Sequence, residues 1–334
     1  MTLLHLDSCA IPPKYTYNVE HATYVAQSTT ETREGPYSIR AYAGYDFRYY
    51  TTASEGVIGF AAYHSTLSTT ENVLIACVSY VNSIHLRVVL MPDGSITIER
   101  NTIVLQRSTK TIRIACWQYI EFKWSISNSI AADSCVLKIN GVEYINLTAG
   151  TDTQNSTAAE MGYIVVNGFI NYSYYTDIYV CDLNGSINND FLGSIVVEAL
   201  APDGNGNTND FVGTDADSTD NYLHVDETVV DEDTSYVESK TVGDIDLYTY
   251  DNLSGTPTSI VGLAVRPIAK KPLGGNRVGK IITRINSTEY DGDMIYAGIE
   301  YKTAASIWEL NPDDSAAWEA ADVNGAEFGI EVEA

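Results

Sequence analysis

Residues 117–147 read WQYIEFKWSISNSIAADSCVLKINGVEYINL, and this stretch decides the fold. From Trp117 the side chains alternate. Tyr119 is followed by Ile120, Phe122 and Trp124, with Glu121 and Lys123 between them, which is the period of a strand with two unlike faces. A polar loop follows, and then two short β-rich runs flank Asn140-Gly141. Asn-Gly between β-formers is the strongest short-range hairpin signal, because both central residues of the turn take positive φ. The stretch therefore predicts an amphipathic strand and then a hairpin. Trp117, Phe122 and Trp124 are core candidates, of which at least two are expected to be buried.

Working towards the N-terminus, the pattern repeats. YSIRAYA from Tyr37, DFRYYTT, GVIGFAAYH, ENVLIACVSYV, IHLRVVLM, SITIER, NTIVLQR and TIRIACW are short β-rich runs separated by turn signals such as Pro92-Asp93-Gly94. Helical period is almost absent, so an all-β sandwich or barrel is expected. Residues 1–35 contain Pro12-Pro13 and a polar run at 28–32. They are expected to be an irregular segment lying on the first domain, residues 36–195, or meeting a neighbour.

Working towards the C-terminus, 177–181 reads as a strand and 182–185 as a turn. Residues 195–200 read as a second β-rich run that stops at Pro202-Asp203-Gly204, and the hand-over to another domain falls here. DGNGNTNDFVGTDADSTDNY then reads as a Gly/Asn/Asp-rich loop. DIDLYTYDNL, SIVGLAVRPIA, RVGKIITRIN, YAGIEYKTA and FGIEVEA read as strands of a second, smaller β-sandwich domain over residues 196–334. A single helical turn is expected at 316–323, after Pro312 and Asp313-Asp314.

Bulk composition narrows the function. The chain has 334 residues and a net charge of −25, which argues against nucleic acid phosphates and anionic membranes as partners. No run approaches the roughly 18 apolar residues that a membrane span requires. MTLLHLDSCAIPPKY lacks the basic and apolar regions of a signal peptide, so synthesis without export from a cytoplasm is expected, and sequons such as Asn146-Leu147-Thr148 read as chance matches. Tyrosines number 24 against seven phenylalanines, a bias that suits half-buried strand faces and contact surfaces. The five cysteines form no CxxC pair and sit singly in apolar runs, so they read as buried free thiols.

Chemistry-bearing constellations are few. Sandwich-fold glycosidases need two closely placed carboxylates, one to protonate the leaving oxygen and one to attack or activate water. Here Asp226 and Glu227, and Asp231, Glu232 and Asp233, fall between polar turn residues and read as a solvated acidic loop. No Gly-x-Ser-x-Gly elbow, HExxH or Cys/His zinc spacing occurs. His5, His21, His64, His85 and His224 lie far apart in the chain and read as surface or satisfied strand residues. No catalytic residue and no cofactor are expected. The one metal candidate is calcium, for which Asp182, Asn184, Asn188 and Asp190 offer hard oxygens within one turn, although the spacing departs from the EF-hand. A basic patch holds Lys270, Lys271, Arg277 and Lys280. It is expected to meet the acidic segment 215–238 of a neighbouring copy, in a heterologous contact that can close a ring. The expected state is a homo-oligomer, a trimer before other states.

Two resemblances extend this reading. PDGSITI, WQYIEFKW and LKINGVEY, in that order, resemble strands of the concanavalin A-like, laminin-G-type jelly roll over about residues 30–195. DIYVCDLNGSINNDFLGSIVVEALAPDG, YLHVDETVVDEDTSYVES and NPDDSAAWEAADVNGAEFGIEV, spread over residues 175–334, resemble a series shared by virion proteins of tailed bacteriophages. Such proteins are tail, fibre or head-decoration components, often with a concanavalin A-like domain in front. The resemblance implies a non-enzymatic structural part of a virion, joined to other virion proteins and to copies of itself. The alternative is a glycan-binding adhesin that contacts the host cell surface. It requires a shallow groove with exposed aromatics and convergent polar groups.

Overall fold

The expected hairpin is present. Asn140 and Gly141 take φ of 50° and 74°, and they join two short antiparallel strands. The computed structural model describes residues 3–17, 24–129, 135–157, 159–168, 172–227, 229–271 and 278–333. The chain divides into two units, Met1–Val197 and Glu198–Ala334.

The first unit's strands are β1 (Leu3–Asp7), β2 (Val25–Ser28), β3 (Ser38–Tyr42), β4 (Asp46–Tyr50), β5 (Glu55–His64), β6 (Asn72–Ser79) and β7 (Ile84–Leu90). They continue with β8 (Ser95–Arg100), β9 (Ile103–Thr111), β10 (Trp117–Ser125), β11 (Val136–Ile139), β12 (Val142–Asn146), β13 (Met161–Asn167) and β14 (Tyr172–Asp182). They form two antiparallel sheets, ordered β12-β11-β10-β5-β14-β3-β2 and β4-β13-β6-β7-β8-β9. The chain crosses between the sheets at β3–β4–β5–β6, β9–β10 and β12–β13–β14, while β6–β9 and β10–β12 each run as a meander within one sheet. β14 is long enough for its first half to pair with β3 and its second half with β1. A register shift and a left-handed Asp177 (φ 53°) separate the two halves.

Against the expectation from its composition, the described part of residues 1–35 is not irregular throughout, because it supplies two strands. Leu3, Leu6 and Val25 are buried, and β1 and β2 are full members of the first sheet.

Alternation along each strand makes the core. Ile58, Phe60, Ile120, Phe122, Trp124, Leu137 and Tyr175 of the first sheet meet Leu74, Leu86, Val88, Ile96, Ile98, Ile164 and Val166 of the second. Phe122 and Trp124 are fully buried, whereas Trp117 lies on the outer face and is half-buried. Gly56 is required beside Trp124, whose ring stands 2.4 Å from where a Cβ would be. All five cysteines are free, with Cys116 half-buried and the rest buried. Burial pushes the Cys135 thiol up to about 12.

The second unit is smaller and also β-rich. Its five-stranded antiparallel sheet runs, in spatial order, Pro202–Asn209, Ile245–Tyr250, Glu327–Val332, Gly279–Ile285 and Thr288–Ile295. A ribbon of Leu263–Val265 with Ser306–Trp308 supplies a second layer. Its core gathers Ile285, Trp318, Val323 and Phe328 with Leu263, Val265 and Trp308.

Several sequence expectations are corrected here. Residues 195–200 form no strand, and Pro202–Asn209, read as a loop, is a strand. Thr288–Ile295 is a strand the sequence reading passed over, and of 296–304 only Lys302–Thr303 is β. The helix spans Ala320–Gly325, later than expected, because a reciprocal capping box of Glu319 and Asp322 fixes its start.

Candidate functional site

The outer face of the first sheet is divided. Over β10 and the second half of β14, residues 190–197 lie as a strap whose backbone is satisfied by side chains. The Gly193 amide donates to Glu121 Oε1 at 2.8 Å, and the Tyr179 hydroxyl donates to the same oxygen at 2.6 Å. The Leu192 amide donates to the Tyr179 hydroxyl (3.1 Å), and the Val197 amide to Asp177 Oδ1 (2.9 Å). Arg33 donates to Asp177 Oδ2 (2.6 Å), to the Ile195 carbonyl (2.8 Å) and to Ser194 Oγ (2.7 Å). The result is that Glu121, in an outward-facing position, is 1% exposed. Burial pushes the Asp177 carboxyl up, and the Val197 amide and Arg33 pull it partly back. Gly59 permits the arrangement, since the Tyr179 ring stands 2.0 Å from where its Cβ would be. This half of the face is closed.

The open site lies at the end of the edge strand β4. A cleft of about 1100 Å³ is lined by Tyr49, Tyr50, Tyr80, Tyr163, Arg48, Asn82, Glu55, Asp182 and Asn184, among others. Tyr50 and Tyr80 are 56% and 60% exposed. Tyr50 faces Tyr163 across the β4–β13 ladder, with ring centroids 5.8 Å apart. The Tyr163 hydroxyl donates to Asn82 Oδ1 at 2.9 Å, and the Arg48 guanidinium lies 5.3 Å over the same ring. Tyr49 fixes the wall by donating to the Leu4 carbonyl at 2.6 Å. Ring faces beside hydroxyl, amide and guanidinium groups suit a ligand with one apolar face and a polar rim. The sequence reading singled out none of these tyrosines. They come from three separated segments, and the only local signal is the Arg48-Tyr49-Tyr50 run.

The expected calcium residues fall near this cleft but do not converge on it. Asp182 accepts the Asn184 backbone amide (3.1 Å) and side-chain amide (3.0 Å), closing its own turn. Asp190 accepts from Lys123 (3.1 Å) and from the Phe191 amide (2.8 Å). Asn188 holds a left-handed turn position (φ 52°). Among the described residues, no group of three or more His, Cys, Asp or Glu side chains could hold a metal ion.

The acidic and basic segments of the second unit meet within one chain. Lys270 pairs with Asp233, which also accepts from Tyr301 (3.0 Å), and both bonds hold the Asp233 carboxyl below its ordinary value. Burial works against the charge of Lys280, but Glu331 (2.8 Å), Glu333 (2.5 Å) and Asp291 (3.0 Å) outweigh it and hold the amine above its usual value. Asp231 and Glu227 both accept from Ser235. Asp226 and Glu232 lie in the same loop, Lys271 donates its amide to the Gly298 carbonyl, and Arg277 lies outside the described residues. Lys270 and Lys280 thus form ion pairs within the subunit.

The histidines are largely interior. His5 bonds Tyr17 (2.9 Å), and His85 accepts the Asn155 amide (3.0 Å). His64 lies edge-on to Tyr175, and burial pushes its pKa down to about 3. His224 pairs with Asp215 at 3.3 Å, and His21 lies outside the described residues.

No family model and no curated protein matches the chain. Among solved structures it is similar to the cellulose induced protein Cip1, at 13% identity and a TM-score of 0.41 over 54% of this chain and 94% of that one. It is also similar to Trypanosoma rangeli sialidase (6%, TM-score 0.35) and to alginate lyase Aly36B (11%, TM-score 0.36, over 50% and 86%). The chain covers 27% of the sialidase and 47% of its own length is matched there.

Proposed function

We propose that the first unit is a non-enzymatic saccharide-binding module, and that the chain serves as a surface component of a tailed-phage particle which contacts host glycan. The observation that carries the binding half is the cleft, where exposed Tyr50 and Tyr80 flank Tyr163 beside Arg48 and Asn82. A pyranose ring has an apolar face that stacks on such rings and hydroxyls that pair with the polar rim. The particle half is supported by the three ordered sequence motifs alone, and it includes assembly with other virion proteins or with copies of this chain.

The test is a titration of the whole chain against a panel of neutral oligosaccharides, beside the double variant Tyr50→Ala/Tyr163→Ala. Two lost ring contacts, at about 0.5–1.5 kcal/mol each, correspond to a weakening of about 5- to 150-fold. Equal binding by both proteins would sink the cleft reading. Gold-labelled antibody against this chain on intact particles tests the second half, and unlabelled particles would sink it.

A further inference from the structure

The other half of the first sheet's outer face carries a second array, covered at one end, where Trp117 donates to the Thr32 carbonyl (3.0 Å) and Tyr174 is buried, and open at the other. One register row runs Trp117 on β10, Tyr63 on β5, Tyr174 on β14 and Arg40 on β3. The next row pairs Tyr172 with Tyr42. Ring centroids step 5.8 Å from Trp117 to Tyr63, 6.2 Å on to Tyr174, 6.5 Å on to Tyr172 and 5.4 Å on to Tyr42. Tyr172 and Tyr42 are each 37% exposed, and the Arg40 guanidinium lies 4.6 Å over the Tyr172 ring.

Charge distinguishes this array from an ordinary aromatic surface. In so acidic a chain, most of the described arginines are claimed by their own carboxylates. Arg33, Arg48, Arg87, Arg100, Arg107 and Arg284 all form ion pairs. Among the described residues Arg40 pairs with no carboxylate, although it is half-buried. Burial pushes the neighbouring Tyr174 hydroxyl up, with Arg40 lowering and Glu31 raising it. A half-buried guanidinium presents a planar fork suited to bidentate carboxylate recognition.

We propose that this platform is a second saccharide station selective for an acidic sugar, whose carboxylate pairs with Arg40 while its ring lies on Tyr172 and Tyr42. The class of ligand rests on the saccharide reading of the cleft, but the site does not. Tyr172 begins the 11-residue β14 and Asp182, at the cleft, ends it, a span of about 33 Å. A trisaccharide occupies one station only.

The experiment titrates the full chain with trigalacturonate and with its fully methyl-esterified form at about 0.15 M salt, where screening confines the field of distant carboxylates to roughly 8 Å. The acid is expected to bind roughly tenfold tighter than the ester, as charge-assisted hydrogen bonds dictate. Arg40→Gln is expected to erase that difference, and its unchanged melting temperature would show an intact fold. Absent binding of the acid, equal binding of acid and ester, or discrimination that survives Arg40→Gln would each overturn the proposal. Tyr50→Ala/Tyr163→Ala separates the two sites. Should that variant lose the acid preference, the platform falls and the cleft stands. Should it keep both the preference and all neutral-sugar binding, the cleft falls and the platform stands.

Discussion

The two halves of the first sheet's outer face are built from the same residue types yet have opposite fates. Tyr119, Tyr179, Glu121 and Asp177 are buried beneath residues 190–197, while Tyr172, Tyr42 and Arg40 on the same face reach solvent. Both halves use tyrosine, and both set an arginine near a tyrosine ring, at 5.4 Å for Arg33 over Tyr119 and 4.6 Å for Arg40 over Tyr172. In the closed half the strap's amides meet Glu121, Tyr179 and Asp177, and the Tyr119 hydroxyl donates to the Asp177 carbonyl. In the open half the Tyr172 and Tyr42 tips remain available. A tyrosine-rich strand is therefore neither core nor binding surface in itself, and the chain that crosses it decides.

The largest expected effect tests what both halves share, the inner layer beneath them. His64 is held neutral by burial, with its pKa lowered from 6.5 to about 3, so the unfolded chain binds the extra proton between those values. Stability from this residue is complete above pH 6.5 and is lost as pH falls towards 3, by roughly 4–5 kcal/mol at most. Asp177 and Asp246, whose carboxyls burial pushes up, contribute with the opposite sign. Chemical denaturation of wild type and His64→Gln at pH 7 and pH 4 isolates the histidine, and parallel losses in the two proteins would remove it from the account.

Next in size is Gly59→Ala in the closed half. The added methyl collides with the Tyr179 ring, and moving that ring breaks its bond to buried Glu121. Overpacking and an unsatisfied carboxylate together cost about 3–5 kcal/mol. A melting temperature close to wild type would mean that the ring does not lie flat on β5.

Arg33→Ala should cost about 2–3 kcal/mol, less than a fully buried pair because Asp177 can take up a proton. It should also expose residues 190–197 to proteases. Digestion that leaves this segment intact in the variant would break the contrast between the halves. The smallest effect belongs to the open half. Tyr172→Ala is expected to change stability by less than about 0.5 kcal/mol while weakening acidic-sugar binding. A destabilisation equal to that of Arg33→Ala would show that both halves are structural.

Much of the first unit is legible in the sequence because local rules agree there. The Asn140-Gly141 turn, the Gly94 turn (φ 83°) and the alternation around Phe122 and Trp124 all point to the same strands. Legibility fails where distant groups satisfy the backbone. Residues 195–200 have strand composition, but Asp177 and Arg33 take the hydrogen bonds that a neighbouring strand would supply. Pro202–Asn209 fails in the other direction, since PDGNGNTN has turn composition. It pairs at the sheet edge with Ile245–Tyr250, and Gly206 is needed where Leu247 backbone stands 2.7 Å from its would-be Cβ. Thr288–Ile295 is likewise an edge strand, rich in acids that keep such an edge from pairing further. Of the candidate sites, Asp182 and Asn184 border the cleft, yet the rings that shape it were hidden by their separation along the chain.

The strap has a mechanical consequence. It is the last segment before the second unit begins at Glu198. A load pulling the two units apart therefore arrives at Val197, and so at Asp177 and Arg33, before it reaches the backbone ladder of β14. Those few side-chain bonds would yield in sequence, freeing about 27 Å of extended chain while both sheets stay whole. The same bonds that close half of a binding face thus act as a fuse, giving slack under tension ahead of unfolding.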